Sequence, residues 1–165
     1  MTGAWIVPEP LTAATFTPFG DVIEVDGHAD WLINAGKCGR FHDRARLEFL
    51  EGHAGISLFD AEARHLPYTL DLMERHPLGS QAFVPLDGVP MLLCVAEDAG
   101  GRPAMPRAFL SQPGQVVNIL RNVWHGVLAP IGRSGRYAVI DRIGPGDNLE
   151  EFCFDQPLTV EGSHS

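Results

Sequence analysis

Short apolar stretches, each bounded by glycine or proline, recur from Asp21 to Ile143. DVIEV (21–25), WLIN (31–34), GISLFDAEA (55–63), QAFVPL (81–86) and MLLCVAED (91–98) read as strands. RAFLS (107–111), VVNIL (116–120), NVWHGVLAPI (122–131) and RYAVIDRI (136–143) continue the series. In RFHDRARLEFL, 40–50, Phe41, Ala45, Leu47 and Phe49 fall on one face, with Asp43 the exception. Arg40, His42, Arg44, Arg46 and Glu48 fall on the other, which predicts a strand with one face in water. YTLDLMERH (68–76) fits two periods. Leu66, Leu70 and Met73 have helical spacing, whereas Leu70, Leu72, Glu74 and His76 have strand spacing. Strand is the better reading, because β-type segments surround it and Pro77 ends it. DGVP (87–90) reads as a hairpin turn. TAATFTP (12–18) reads as one short helix capped by Thr12. From Gly144 onward the patterning weakens, with a short strand at FCF and a polar tail. Many short strands with Gly/Pro turns predict an all-β sandwich or barrel.

Length and charge narrow this picture. The 165 residues suit one domain, with a core from about residue 11 to 155. A net charge of −9 argues against nucleic acid or an anionic membrane as partner. An acidic protein that takes an anionic substrate needs clustered arginines. The N-terminus lacks the charged and apolar regions of a signal peptide, and no apolar run approaches a membrane span. Cys38, Cys94 and Cys153 are odd in number and far apart, which fits a reducing cytoplasm and small buried apolar roles.

The candidate chemistry lies in ERHPLGSQAFVPLDG, 74–88. On an extended chain Glu74 and His76 project the same way and Arg75 the other, while Gln81 arrives from the next strand. A carboxylate, an imidazole and an amide together suit a metal, a proton transfer or both. A solvated hairpin is the competing reading. His125, between Val123 and Val127, is on its own more in keeping with a satisfied core histidine, and Trp124 packs outside any cavity. Asp141 and Arg142 form either a structural ion pair or part of a site. His42 and Asp43, as strand neighbours, face opposite ways, and His28, His53, His65 and His164 belong to solvated contexts.

The spacing His76, four residues, Gln81, six residues, Gly88 resembles the second half of the first cupin motif. Gln81 stands in the glutamate position, and Glu74 where cupins usually carry another histidine. Gly114 and His125 match the second cupin motif. The implied fold is a jelly-roll barrel, and the implied ligand set is Glu74, His76, Gln81 and His125. ERHPLGSQAF, NVWHGVL, IDR at 140–142 and FGDVIE near the start resemble, in order, the ureidoglycolate lyase family. That resemblance implies cleavage of ureidoglycolate to glyoxylate and urea in allantoin degradation, a homodimer, a cytoplasmic address and a divalent metal, nickel in the family. The set departs from the three histidines and one glutamate usual in metal cupins, and amide oxygen is a weaker ligand than carboxylate, so a metal-free site stays open.

Such a substrate carries OH, a ureido nitrogen, H and a carboxylate on one carbon. Elimination needs a base for the hydroxyl proton, or a metal that acidifies it, and an acid for the departing nitrogen. His125 is the expected base or metal ligand, with Glu74 and His76 supplying or relaying the second proton. Gln81 and Asn122 are expected to bond the ureido group, and one of Arg40, Arg121 and Arg142 the carboxylate. Two other readings compete. One is a hydrolase that releases ammonia and carbon dioxide, and the other is a silent cupin that binds a small acid.

Overall fold

A computed structural model describes residues 3–162. Its strands are β1 (Trp5–Ile6), β2 (Glu9–Pro10), β3 (Gly20–Ile23), β4 (Trp31–Ile33), β5 (Cys38–Arg40), β6 (His53–Ala61), β7 (Tyr68–Arg75) and β8 (Gln81–Pro85). They continue as β9 (Met91–Ala96), β10 (Arg107–Leu110), β11 (Val116–Ile119), β12 (Trp124–His125), β13 (Ala129–Pro130), β14 (Gly135–Ile143) and β15 (Glu150–Val160). Among the described residues the single helix is α1 (Ala13–Phe16), where the Thr12 hydroxyl accepts from the Thr15 N–H as its cap.

One curled sheet runs β1-β15-β7-β12-β9-β10-β2, with β13 also on β9. The other runs β3-β11-β8-β14-β6, and β4 and β5 form a separate hairpin. Phe83 from β8, Val117 from β11 and Val139 from β14 pack with Met91, Leu93 and Val95 of β9, so the two sheets close face to face. Leu92, Cys94 and Ala96, the alternate residues of β9, join a second apolar cluster with Trp124 and Met73. β9 is therefore buried on both faces, and the protein is an all-β, cupin-type jelly roll.

Several sequence expectations change. The strand expected over 40–50 is mostly loop beyond β5, apart from an isolated bridge between Phe49 and Gly79. Side-chain carboxylates capture the backbone donors a ladder would have used. Asp30 accepts from the His42 N–H at 2.8 Å and Asp21 from the Arg46 N–H at 2.8 Å. DGVP does not close a hairpin: β8 and β9 belong to different sheets, and the turn carries the chain across with Gly88 at φ 72°. NVWHGVLAPI breaks into β12 and β13, both paired with β9: the Gly126 N–H still reaches the Cys94 carbonyl at 2.8 Å, but the register has slipped by one residue where Ala129 meets Leu92. The weakly patterned C-terminal stretch forms the long strand β15, whose Leu158 and Val160 are buried. Of the three cysteines only Cys94 is buried, and burial pushes its thiol up to about 12, while Cys38 and Cys153 are exposed. The extended reading of 68–76 holds, since β7 covers Tyr68–Arg75.

Candidate active site

β7 ends at Arg75, and its last residues divide between two faces. Arg75 turns outward, where its guanidinium lies 4.4 Å over the Trp124 ring and pairs with Asp98 at 2.9 Å and Glu150 at 2.6 Å. Trp124 thus packs away from the site, its indole N–H on Asp98 at 3.0 Å. Glu74, on the opposite face, stands in register with His125 of β12. His76 follows, its ring centroid 5.1 Å from that of His125 and its Nε2 3.9 Å from Glu74 Oε1. One ligand atom from each of Glu74, His76 and His125 falls within 4.8 Å of the others. Two lengths of chain some fifty residues apart in sequence therefore meet at one point.

The main chain sets the tautomer of both rings. His76 Nδ1 lies 2.8 Å from the Asn148 carbonyl, and His125 Nδ1 lies 3.0 Å from the Gly126 carbonyl. A carbonyl only accepts, so each Nδ1 carries hydrogen and each neutral ring turns a bare Nε2 inward. Both Nε2 atoms are buried, and neither has a hydrogen-bond partner among the described residues. Buried polar atoms are ordinarily satisfied, so two such nitrogens beside a carboxylate mark a place built for something else. Burial lowers the His125 imidazole to about 4, the neighbouring His76 adds to this, and the Gly126 carbonyl opposes it. Burial also raises the Glu74 carboxyl, His76 pulling it back and Glu151 pushing it further.

Asn148 was not anticipated. Its carbonyl orients His76, and its side-chain oxygen accepts from the Leu78 N–H at 2.7 Å. Nothing in the polar turn that holds it announces the role. Gly79 in the same crossover admits no side chain, because a Cβ there would lie 2.7 Å from Arg142 Cβ.

The remaining expected residues are distributed unevenly. Gln81 begins β8, is buried, and donates through Nε2 to Asp141 Oδ2 at 3.2 Å, leaving a buried Oε1 without a partner. Asn122, at φ 66°, donates its backbone N–H to the His76 carbonyl at 2.9 Å, which ties the turn before β12 to the crossover after β7. Arg121 Nη1 donates to the Pro77 carbonyl at 3.0 Å. Its Nε lies 3.1 Å from Glu48, close enough for an ion pair but without hydrogen-bond alignment. Arg40 sits on the exposed β4–β5 hairpin over Trp31. Arg142 is buried and holds the carbonyls of Leu50, Glu51 and Pro145. Asp141 and Arg142, as strand neighbours, serve opposite faces and do not pair. His42 packs edge-on against Trp31, and His28, His53 and His65 are exposed, while His164 lies outside the described residues.

A sequence model of the family described as ureidoglycolate lyase matches residues 4–161. The chain belongs to that family. It is 72% identical to a ureidoglycolate lyase of Rhodobacter capsulatus over 155 residues, covering 93% of this chain and 96% of the relative. It is 53% identical to ureidoglycolate lyase 2 of Rhizobium meliloti, over 92% of this chain and 94% of that one. A ureidoglycolate lyase of Chelativorans sp. is 50% identical over 94% and 95% of the two chains. These ureidoglycolate lyase relatives thus match it over nearly their whole length.

Proposed function

We propose that the protein cleaves ureidoglycolate to glyoxylate and urea, in allantoin degradation, at the cluster of Glu74, His76 and His125. The observation that carries the reading is the pair of buried, unpartnered Nε2 atoms facing a carboxylate, in a chain of this family. The reaction moves two protons. The hydroxyl proton leaves as the oxygen electrons close to a carbonyl and the C–N pair departs, and a second proton reaches the urea nitrogen. A base works best with a pKa near the working pH, and His125 at about 4 lies well below it. His125 is therefore assigned as a neutral lone-pair donor that holds the reacting group. His76 Nε2, on the less buried ring, takes the hydroxyl proton. The Glu74 carboxyl, raised by burial, retains a proton more readily than a solvated one and delivers it to the leaving nitrogen. Arg121, beside the turn that clasps His76, holds the carboxylate, because it gives one bond to a main-chain carbonyl where Arg142 is committed to three, and Arg40 is on the outer hairpin. Gln81 and Asn122 meet the ureido group.

As an alternative to these proton-transfer roles, the same donor set would fit a divalent metal, nickel on the family's precedent, held by Glu74, His76 and His125 through one carboxylate and two imidazoles. When bound, such an ion supplies a positive charge that stabilises oxygen anion character. Two exposed free thiols, Cys38 and Cys153, accord with a cytoplasmic address. A homodimer belongs to the same reading and finds support in the bare edge of β6.

Product analysis tests the function. Purified protein with ureidoglycolate should release urea and glyoxylate in equal amounts, and His76→Ala should lower the rate by about 10²–10⁴-fold. Ammonia in place of urea would make the enzyme an amidohydrolase. No product of either kind would leave a small-acid binding protein.

A further inference from the structure

Asp141 has no place in the acid–base scheme, yet it touches Gln81, the residue proposed above to meet the ureido group. The β14–β8 ladder pairs Val139 with Phe83 and Ile140 with Ala82, so one step further Asp141 stands opposite Gln81. Phe83 and Val139 lie in the cluster between the sheets, and by alternation Gln81 and Asp141 share that inner face. There Gln81 Nε2 donates to Asp141 Oδ2 at 3.2 Å. The other end of the amide, Oε1, is buried and has no partner among the described residues.

A glutamine amide has two ends of nearly equal shape and opposite character, one a donor of two hydrogens and the other an acceptor. What lies beside it decides which end faces where. A carboxylate has only lone pairs to offer, so the Gln81 amino end is held against Asp141, and the reverse orientation would set oxygen against oxygen. We infer that Asp141 is a positioning residue that fixes Gln81 as an acceptor, so that the site selects substrates presenting an N–H donor there, as a ureide does. The inference rests on the lyase reading for its substrate, while the amide orientation stands independently of it. It also gives a reason for glutamine at the position. A glutamate at position 81 would face Asp141 carboxylate to carboxylate.

Asp141→Asn tests it, since an asparagine amide can donate as well as accept and so releases the constraint on Gln81. In D141N the KM for ureidoglycolate should rise about tenfold, the effect of roughly one misdirected hydrogen bond, with kcat changed less. The exchanged pair Q81E/D141N restores an acceptor-only oxygen held by an amide donor, and its KM should return toward the wild-type value. A purely structural Asp141 would give no such recovery. Unchanged KM in D141N, or a double variant no better than the single one, overturns the proposal. The side-chain amide resonance of Gln81, assigned by its absence in Q81E, gives a readout without substrate. It should exchange slowly with solvent in the wild type and fast in D141N, and equal rates would likewise overturn the inference. Loss of wild-type turnover with the amide result intact would count against the lyase reading alone.

Discussion

At the scale of single residues, His125 shows how one position can be costly for folding and useful for binding. Its ring is buried and its proton affinity depressed from 6.5 to about 4, chiefly by burial. Between those values the unfolded chain binds a proton that the folded chain refuses, so stability must fall as pH falls through this window. The sign is that of a buried neutral histidine, stable above the unfolded pKa and destabilised below it. In the metal-free protein the contribution lost from pH 7 to pH 4.5 is about 2–3 kcal/mol. Urea unfolding of wild type and His125→Gln at the two pH values should show this slope in the former and a shallower one in the latter. Parallel slopes would mean that His125 is not held neutral by the fold. The same bare Nε2 that makes the residue acid-sensitive is the lone pair that, in the proposed mechanism, meets the reacting group.

At the scale of elements, the segment 41–48 joins the β5 end to the site crossover, and side chains rather than a ladder define it. Arg46 binds Asp21 through both its backbone N–H and its guanidinium, at 2.8 Å each, and the Asn118 amide adds a bond to Asp21 at 3.0 Å. Burial alone would raise the Asp21 carboxyl, but these three bonds from Arg46 and Asn118, with the Arg46 charge, outweigh it and hold it below the usual carboxylate range. The stability it gives is therefore present at neutral pH and is lost as pH falls through that depressed value. Asp21→Ala should cost about 2 kcal/mol at pH 7 and speed hydrogen exchange at the Arg46 amide. Unchanged exchange would show the loop to be held by something else. This segment also explains what the sequence could and could not reveal. Period-two alternation in 40–50 was real, but a pattern of side chains does not say what the backbone N–H groups bond to. Asp21 and Asp30 were remote in sequence and gave no sign of capturing them. Where both faces were apolar, as in β9, the strand was legible but its sheet was not, so DGVP passed for a hairpin. Glu74 and His76 were readable because alternation over two residues is local and Pro77 closed the strand. Arg142 and Asp141 were not, since their partners, three carbonyls and one amide, come from other strands and loops.

At the scale of the whole molecule, the five-stranded sheet ends at β6, which pairs on one side only among the described residues and whose exposed Asp60 is its one acidic side chain. β6 runs nine residues in unbroken register with β14, from His53 opposite Ile143 to Ala61 opposite Gly135, and contains no lysine, proline or bulge. Its outward face carries Ile56 and Leu58, exposed by 74% and 76%. The proposed homodimer would use this edge: antiparallel pairing about a two-fold axis at Ser57 would set Ile56 of each chain against Leu58 of the other and extend the sheet to ten strands. The site residues on β7, β8 and β12 lie away from this edge, so pairing leaves the chemistry in each copy. The protein should therefore sediment at about twice its 18.0 kDa mass at micromolar concentration. Ile56→Lys with Leu58→Lys should return it to the single-chain mass with turnover per chain kept within about threefold, since paired like charges across an edge oppose association. A wild type that sediments as one chain would remove the dimer from the proposal. A double-lysine variant that stays dimeric would place the contact elsewhere, and the β4–β5 hairpin, with Trp31 and Leu32 exposed, is then the surface to alter next.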